Sequence, residues 1–467
     1  MRVAPPPREG FPAQVDTLIV GAGAGGMVVA LAASDAGEEV VVVERDAVPS
    51  GSTALSAGLI PAAGTRFQAE HGISDDAATF AADIQRKAKG ENEPALVETM
   101  ASTAAEAIEW LADRFGLAFS LVHDFDYPGH GRRRMHGLPT RSGRELVDAL
   151  RVACEGVGVP ILCEARADTL YADADGHVHG IGLVRPDGSR ERIGCERLIL
   201  ASNGYGGNAA RVARHMPEIV GALWFGHSGN DGTALAWGEA LGAEIRHLGA
   251  YQGHGNVAHP HGILITWAVI GEGGFQVDRT GRRFWNEAQG YSEAARAVLA
   301  RPGGEAFAIF DARIAGIARQ FADFREAEAQ GAVKSADTLA ALAAALGLPT
   351  DAFAETCAAV DAAKAGRVDD PFGRPFVDAT PLAPPFCGVR VTGALFHTQG
   401  GLAVDGNARV RRAAGGTFPN LHAVGGAACG VSGSGDSGYL SGNGLLAAVT
   451  LGYRAGRAAR ASRDVPG

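Results

Sequence analysis

Cysteine is scarce in this 467-residue chain, and the six present (Cys154, Cys163, Cys195, Cys357, Cys387 and Cys429) fall in no CxxC, CxxCH or zinc-ligand spacing. That excludes attached haem, a cysteine-bound iron-sulfur cluster, a metal site of that kind and a disulfide framework. Positive charge is also in short supply: 42 Lys and Arg against 52 Asp and Glu leave a formal net charge of -10. Nucleic-acid binders normally carry a basic footprint, and the run Arg132, Arg133, Arg134 is too short to supply one. A long uninterrupted apolar run is missing as well. The stretch from Val15 to Ala33 comes nearest, but GAGAGG breaks it and no basic segment precedes it. It reads as a strand, a turn and a helix. These absences set the expectation of a soluble cytoplasmic enzyme acting on a small molecule, with no nucleic-acid partner and no integral membrane segment. Glycine, by contrast, is abundant: 66 residues, about twice the usual share, with no collagen period. Such a chain has many tight turns or much backbone pressed against a ligand.

The first such turn has a readable chemistry. DTLIV runs into GAGAGGMVVALAASDAG and then EEVVVVER, a strand, a glycine turn, a helix and a second buried strand. Gly21, Gly23 and Gly26 stand in GxGxxG register, with Ala24 between them, and Glu44 ends the second strand. A helix N-terminus offers free N-H groups to a pyrophosphate, glycines let the backbone approach it, and a carboxylate can hold a ribose hydroxyl pair. RLILASNGYGGN and NLHAVGGAACG read as later strands of the same sheet. Between them, from about Tyr251 to Val391, aromatic and polar segments mix with Ala-rich helical ones. One of these stops at Gly347, and Thr350 is placed to cap the next. The expected architecture is α/β: a Rossmann-type nucleotide-binding domain (12–250 and 392–467) with an inserted α+β cap domain (251–391), the ligand lying where the two meet.

With these pieces in order, the chain resembles the FAD-dependent fumarate reductase and 3-ketosteroid dehydrogenase superfamily over nearly its whole length. GSTALSAGLIPAAGT resembles the family's flavin-contacting loop, and SGNDGTALAWGEALGA its GDG helix. GEGGFQVDRTGRRFWNE matches the glycine-rich and RFxNE segments of the cap, and FHTQGGLAVD the HTxGG return strand. SGNGLLAAVTLGYRAGRAA resembles the last helix. The resemblance implies FAD as cofactor, with its ring between the domains. It carries flavin contacts onto Gly21, Gly23, Ala24, Gly26 and Glu44, then onto Ser52, Thr53, Ser56 and Gly58. Further contacts fall on Asn203, Gly204, Asp231, Gly425, Gly442, Leu445 and Leu446. Relatives that attach FAD covalently use a histidine in the loop after the second strand. PSGSTALSAG has none, so non-covalent FAD is expected.

The branch within the superfamily follows from two replaced arginines. Where fumarate reductases carry a proton-delivering arginine before the GEGG segment, this chain has Ile270, and where they clamp a substrate carboxylate it has Tyr439. Ketosteroid dehydrogenases resemble it better at these points, with a tyrosine after FxNE, here Tyr291, and one before the last helix, here Tyr439. Such a pair suits α,β-desaturation of a ketone: one phenol and a backbone N-H, as at Gly442, stabilise the enolate oxygen, and the other takes the α-proton. Ser441 either orients Tyr439 or caps the last helix. Tyr127, in DFDYPG, is either a third active-site tyrosine or part of a turn. His397 of HTxGG and His254, near the family's QxHP histidine, either bind substrate or hold the cap junction. The expected reaction is desaturation of a 3-ketosteroid or a smaller cyclic ketone, with a separate electron acceptor. The alternative is an ene-reductase of the fumarate or urocanate reductase type acting on a non-dicarboxylate.

Overall fold

A computed structural model describes residues 2–123, 126–376 and 379–463. In it β1 (Ala13–Val20) leads through the glycine turn to α1 (Ala24–Asp35) and β2 (Val40–Val43). The last four residues of β1 are all buried, as expected of a parallel strand covered on both faces. β3 (Arg190–Leu200) lies parallel to β1, with Leu198 opposite Leu18. β4 (Thr417–Ala423) lies parallel to the end of β3 on its other edge, with Leu198 opposite Leu421. The two segments read as returning strands therefore do return to one sheet. Strands Val178–Val184 and Arg166–Ala172 extend that sheet in antiparallel fashion.

α1 is apolar all round and buries every residue from Ala24 to Ala33. Its second cover is α2 (Asn443–Arg463), which comes close because of two glycines one turn apart. A Cβ on Gly452 would stand 2.9 Å from the Gly25 carbonyl oxygen, and one on Gly456 2.4 Å from the Ala32 Cβ. Backbone-to-backbone contact of this kind leaves no room for a side chain.

The chain divides into two compact units, one of residues 1–215, 226–251 and 397–467, the other of 216–225 and 252–396. The second is built on a largely antiparallel sheet with helices packed on it. Strand Glu305–Asp311 pairs with Phe386–Thr398 on one side and Phe275–Val277 on the other. Residues 216–225 join it because Leu223 and Trp224 pair with Ala394 and Leu395. Nothing in the sequence signals that short pairing. The helix Leu339–Leu346 ends at Gly347 in the left-handed conformation (φ 69°). The next helix, Thr350–Lys364, is capped by Pro349 and not by Thr350, since proline fixes φ at -63° on the boundary and Thr350 is already helical. Among the described residues no helix is long and apolar enough to cross a membrane.

Candidate active site

The GxGxxG turn is built as a cradle. Gly21 (φ 109°) has no room for a side chain, because a Cβ would lie 2.6 Å from the Ala201 carbonyl oxygen. At Gly26 a Cβ would lie 1.9 Å from the Gly21 oxygen, so the turn closes on its own helix. Gly23 differs: a Cβ there would meet only Thr53 Oγ1, at 3.4 Å, so the protein itself does not require glycine at this position. Gly23 is the N-cap of α1, with no side-chain cap and no acidic residue in the first turn, which leaves the positive helix end open to an anion. Of the first-turn donors, Ala24 N-H is given to Thr53 Oγ1 at 3.1 Å. Glu44 is buried at the end of β2, where its two oxygens accept from Ala22 N-H (2.8 Å) and Asp46 N-H (3.1 Å). This holds the two turns together and leaves lone pairs for a ribose. Ser202 Oγ, in the turn after β3, is buried without a partner. An orphaned hydroxyl and an uncapped helix end are what a bound dinucleotide would satisfy.

The remaining positions fall into three groups. Ser52 and Asp231 belong to one: Ser52 Oγ accepts from Asn230 Nδ2 at 2.7 Å, and Asp231 pairs with Arg45 at 3.4 Å while accepting from Thr233 N-H. A second group is internal to its loop. Ser56 donates to Thr53 O (2.7 Å) and accepts from Gly58 N-H (3.1 Å), and Gly58 (φ 66°) abuts the Ser142 backbone. The third joins Asn203 (φ 65°) and Gly204 to the turn after β4. There a Cβ on Gly426 would lie 2.0 Å from Asn203 Oδ1 and one on Gly204 1.9 Å from Thr398 Oγ1, while Gly425 (φ 57°) backs onto Ala448 of α2.

At the start of α2 the structure brings together Tyr439, Ser441, Gly442 and His397. Gly442 (φ 86°) precedes the helix, so Ser441 is one residue too early to be its cap; its carbonyl accepts from His130 Nε2 at 2.9 Å. Leu446 is buried in the first turn, and Leu445 is half-buried. Burial raises the Tyr439 phenol well above its usual range, and hydrogen bonds from Gly444 and Gly442 N-H to its oxygen oppose this only in part. The hydroxyl is therefore protonated at any working pH, and N-H groups feeding its oxygen make it a stronger donor. The His397 ring meets the Tyr439 ring edge-on, with centroids 5.5 Å apart. Burial pushes His397 down to about 4, so it is a neutral imidazole. Tyr127 is half-buried against Leu59, Val122 and Met135, and His130 N-H bonds back to its carbonyl at 3.2 Å, which closes a turn. Asp124 and Phe125 of DFDYPG lie outside the described residues.

Tyr291 belongs to the second unit, where it is the first residue of the helix Tyr291–Leu299. Its ring stacks on His254 at 5.0 Å, and His254 stacks on Phe396 at 5.4 Å. Enclosed in this way, His254 is pushed by burial down to about 3 and carries no charge. Ile270 is buried in the same apolar cluster as Trp267 and Trp285. The RFxNE segment supplies the unit's internal ion network: Arg283 bonds Glu287 (2.6 Å) and Asp370, while Arg374 reaches Glu287 (3.2 Å) and the Ile270 carbonyl (2.7 Å).

Comparison with known proteins gives this geometry its family. The model of the FAD binding domain family matches residues 16–445. The chain belongs to that family. This flavoprotein is 28% identical over 403 residues to the NADH:fumarate oxidoreductase of Klebsiella pneumoniae (strain 342), covering 86% of the chain but only 43% of that protein's length. It is 25% identical to the 4-oxocyclohexanecarboxylate 2-dehydrogenase of Sinomonas cyclohexanicum, covering 96% of each. Among solved structures, the open conformation of a flavocytochrome c3 fumarate reductase is similar with TM-score 0.82 and 27% identity, over 98% of this chain and 80% of that one. A 3-ketosteroid-Δ4-(5α)-dehydrogenase from Rhodococcus jostii RHA1 shares the fold at TM-score 0.78 and 23% identity, over 98% and 99%. The flavoprotein is thus an FAD-dependent oxidoreductase of the superfamily that its motifs resemble, and the open helix end and orphaned Ser202 fit FAD.

Sequence reading passed over three residues that the fold ties to His397. Gln399 is the variable position of HTxGG and Asn443 lies inside SGNGLL, neither with a role assigned there, while Ser432 sits in a glycine-rich stretch without a motif. In all three the residue type alone carried no signal, because the pattern exists only once the segments meet.

Proposed function

We propose that this flavoprotein desaturates a ketone at the carbon-carbon bond next to its carbonyl, with a cyclic ketone as substrate. The observation that carries the reading is the protonated Tyr439 phenol at the start of α2, standing where a dicarboxylate reductase needs a cation. Neither buried histidine replaces that charge, since His397 and His254 are both neutral. Ile270, at the other arginine position, is enclosed by apolar side chains. A neutral carbonyl oxygen suits such surroundings better than a carboxylate, which without a cationic partner loses its hydration uncompensated. The name of the Sinomonas relative, a dehydrogenase of a cyclic oxo acid, points the same way.

In this reading Tyr439 donates its hydroxyl proton in a hydrogen bond to the carbonyl oxygen, which acidifies the adjacent C-H. Tyr291, once its own hydroxyl proton has passed to solvent, takes the α-proton as the phenolate. The Gly21–Gly26 turn and Glu44 would hold FAD, which when bound would supply a two-electron acceptor for the hydride that leaves the β-carbon. The ketone loses two electrons and two hydrogens, and a separate acceptor would take the electrons onward. The test is anaerobic mixing with 4-oxocyclohexanecarboxylate, cyclohexanone, a saturated 3-ketosteroid and succinate, followed by flavin absorbance. A saturated ketone is expected to bleach the flavin and succinate not to; bleaching by succinate alone overturns the proposal. The HTQGG segment and the fumarate-reducing relatives support a second reading, reduction of an enone, which is selected if an enone reoxidises the reduced flavin while no saturated ketone bleaches it.

A further inference from the structure

The His397 imidazole is joined to a buried chain of side chains to which the motifs assign no role. Asn443 Nδ2 donates to Ser432 Oγ at 3.0 Å, and Ser432 Oγ donates to Gln399 Oε1 at 2.7 Å. The Gln399 amide nitrogen then lies 3.0 Å from His397 Nδ1. All three relay residues are at least nine-tenths buried: Asn443 is 0% exposed, Ser432 1% and Gln399 5%. They come from three places in the chain, the strand end after Phe396, the loop after β4 and the first residue of α2, so only the fold assembles them.

The chain has a direction. An amide nitrogen can only donate, so Ser432 receives from Asn443 and has its own proton left for an acceptor, which is Gln399 Oε1. That turns the Gln399 NH₂ toward His397 and makes Nδ1 the accepting nitrogen. A neutral imidazole whose Nδ1 accepts carries its proton on Nε2. The Thr398 carbonyl, which can only accept, would instead draw a proton onto Nδ1, but at 3.3 Å it is the longer of the two contacts, against 3.0 Å to the Gln399 amide nitrogen. Nε2 lies on the side of α2's first turn, since a Cβ on Gly444 would be 3.0 Å from it. Tyr439, edge-on to the same ring, accepts at its hydroxyl oxygen from the Gly442 and Gly444 N-H groups of that turn.

We propose that Gln399 is a positioning residue which, through Ser432 and Asn443, fixes His397 as the Nε2-H tautomer, so that His397 gives the substrate oxygen a second neutral donor beside Tyr439. The donor role of His397 rests on the ketone reading above; the tautomer does not. The relay also explains why the variable residue of HTxGG is an amide here, since an amide offers both a donor and an acceptor at fixed positions, whereas a carboxylate offers only acceptors.

The test has two arms on the FAD-loaded enzyme. The first is long-range ¹H–¹⁵N NMR at pH 7, with the His397 signals identified by their loss in His397→Asn. The expected result is a protonated Nε2 and a bare Nδ1 in the wild type, reversed in Gln399→Glu, whose carboxylate accepts from Nδ1-H. A wild-type His397 protonated on Nδ1, or a tautomer unmoved by Gln399→Glu, overturns the relay. The second arm is flavin reduction by 4-oxocyclohexanecarboxylate. In Gln399→Glu the rate is expected to fall by about 10²-fold, the effect of removing one positioned donor, with FAD affinity and melting temperature near wild type. Gln399→Asn, which keeps the amide but shortens the reach, is expected to fall between the two. An unchanged rate in a protein whose tautomer has reversed overturns the donor role. If that ketone fails to bleach the wild-type flavin, the ketone reading falls for that compound and the NMR result still decides the relay.

Discussion

Gly23 separates cofactor binding from folding at a single residue. Its Cβ would meet only Thr53 Oγ1, at 3.4 Å, so Gly23→Val leaves the protein room to fold but places two methyl groups in front of the open helix end. FAD occupancy of the purified variant, read from the ratio of flavin to protein absorbance, is expected to fall sharply while circular dichroism stays the same. The two tyrosines of the proposed reaction give a second prediction. Tyr291→Phe removes the proposed base and is expected to slow flavin reduction by about 10² to 10⁴-fold with substrate binding retained. Tyr439→Phe removes an oxygen donor and is expected to weaken binding and rate together. Stopped-flow reduction across substrate concentrations separates the two, and the opposite pattern exchanges the roles. Because His397 and His254 are neutral down to about 4 and about 3, no inflection of the rate near pH 6.5 is expected from them.

Among the elements, the pairing of α1 with α2 is the most exacting contact. Gly452 and Gly456 let two helices approach until backbone meets backbone, and α2 carries the Tyr439–Gly442 turn at its front end. Gly456→Val forces the helices apart, because its Cβ starts 2.4 Å from the Ala32 Cβ and 2.9 Å from the Val29 carbonyl oxygen. The expected cost is about 1–3 kcal/mol, the usual penalty of overpacking, seen as a lower denaturation midpoint with an unchanged slope. Flavin release should become easier as α2 shifts. In the second unit the Arg283, Glu287, Asp370 and Arg374 network gives RFxNE a structural role. Glu287 is fully enclosed and also takes Gln276 N-H at 3.0 Å, so the motif ties a loop, a strand and the return segment together.

The whole molecule should be sensitive to acid in a definite range. His130, His136, His254 and His397 are all pushed down by burial, to about 4, 4, 3 and 4, from an ordinary value of 6.5. The unfolded chain therefore binds more protons than the folded one between these limits, and stability rises with pH there. Melting temperature, measured by calorimetry in matched ionic strength, is expected to decline as pH is lowered from about 6.5 toward about 4, and to be nearly flat from 7 to 8 as far as these groups go. A profile flat down to pH 4 would show that the rings are hydrated. The protein is also expected to be yellow and to release its flavin into the supernatant on acid precipitation, because PSGSTALSAG offers no histidine for a covalent bond.

What the sequence determined alone lies where a local pattern has only one structural solution. The GxGxxG turn between two buried strands, the Gly347 helix stop and the two returning strands are of this kind: each is set by steric and hydrogen-bonding rules acting within a dozen residues. The family follows from the same motifs, and Ile270 and Tyr439, on which the proposed reaction rests, are identities that no folding can alter. Tertiary structure decided the rest. The sequence offers two roles for Ser441 and two for Tyr127, and only the position of Gly442 before α2 and the hydrogen bond from His130 to the Tyr127 carbonyl settle their backbone settings. The charge state of His397 and the protonation of Tyr439 depend on burial, a property of the packed interior that residue type does not contain. The Asn443, Ser432, Gln399 and His397 relay is non-local in the same sense, because a hydrogen bond fixes a proton only after the fold has brought donor and acceptor within about 3 Å of each other.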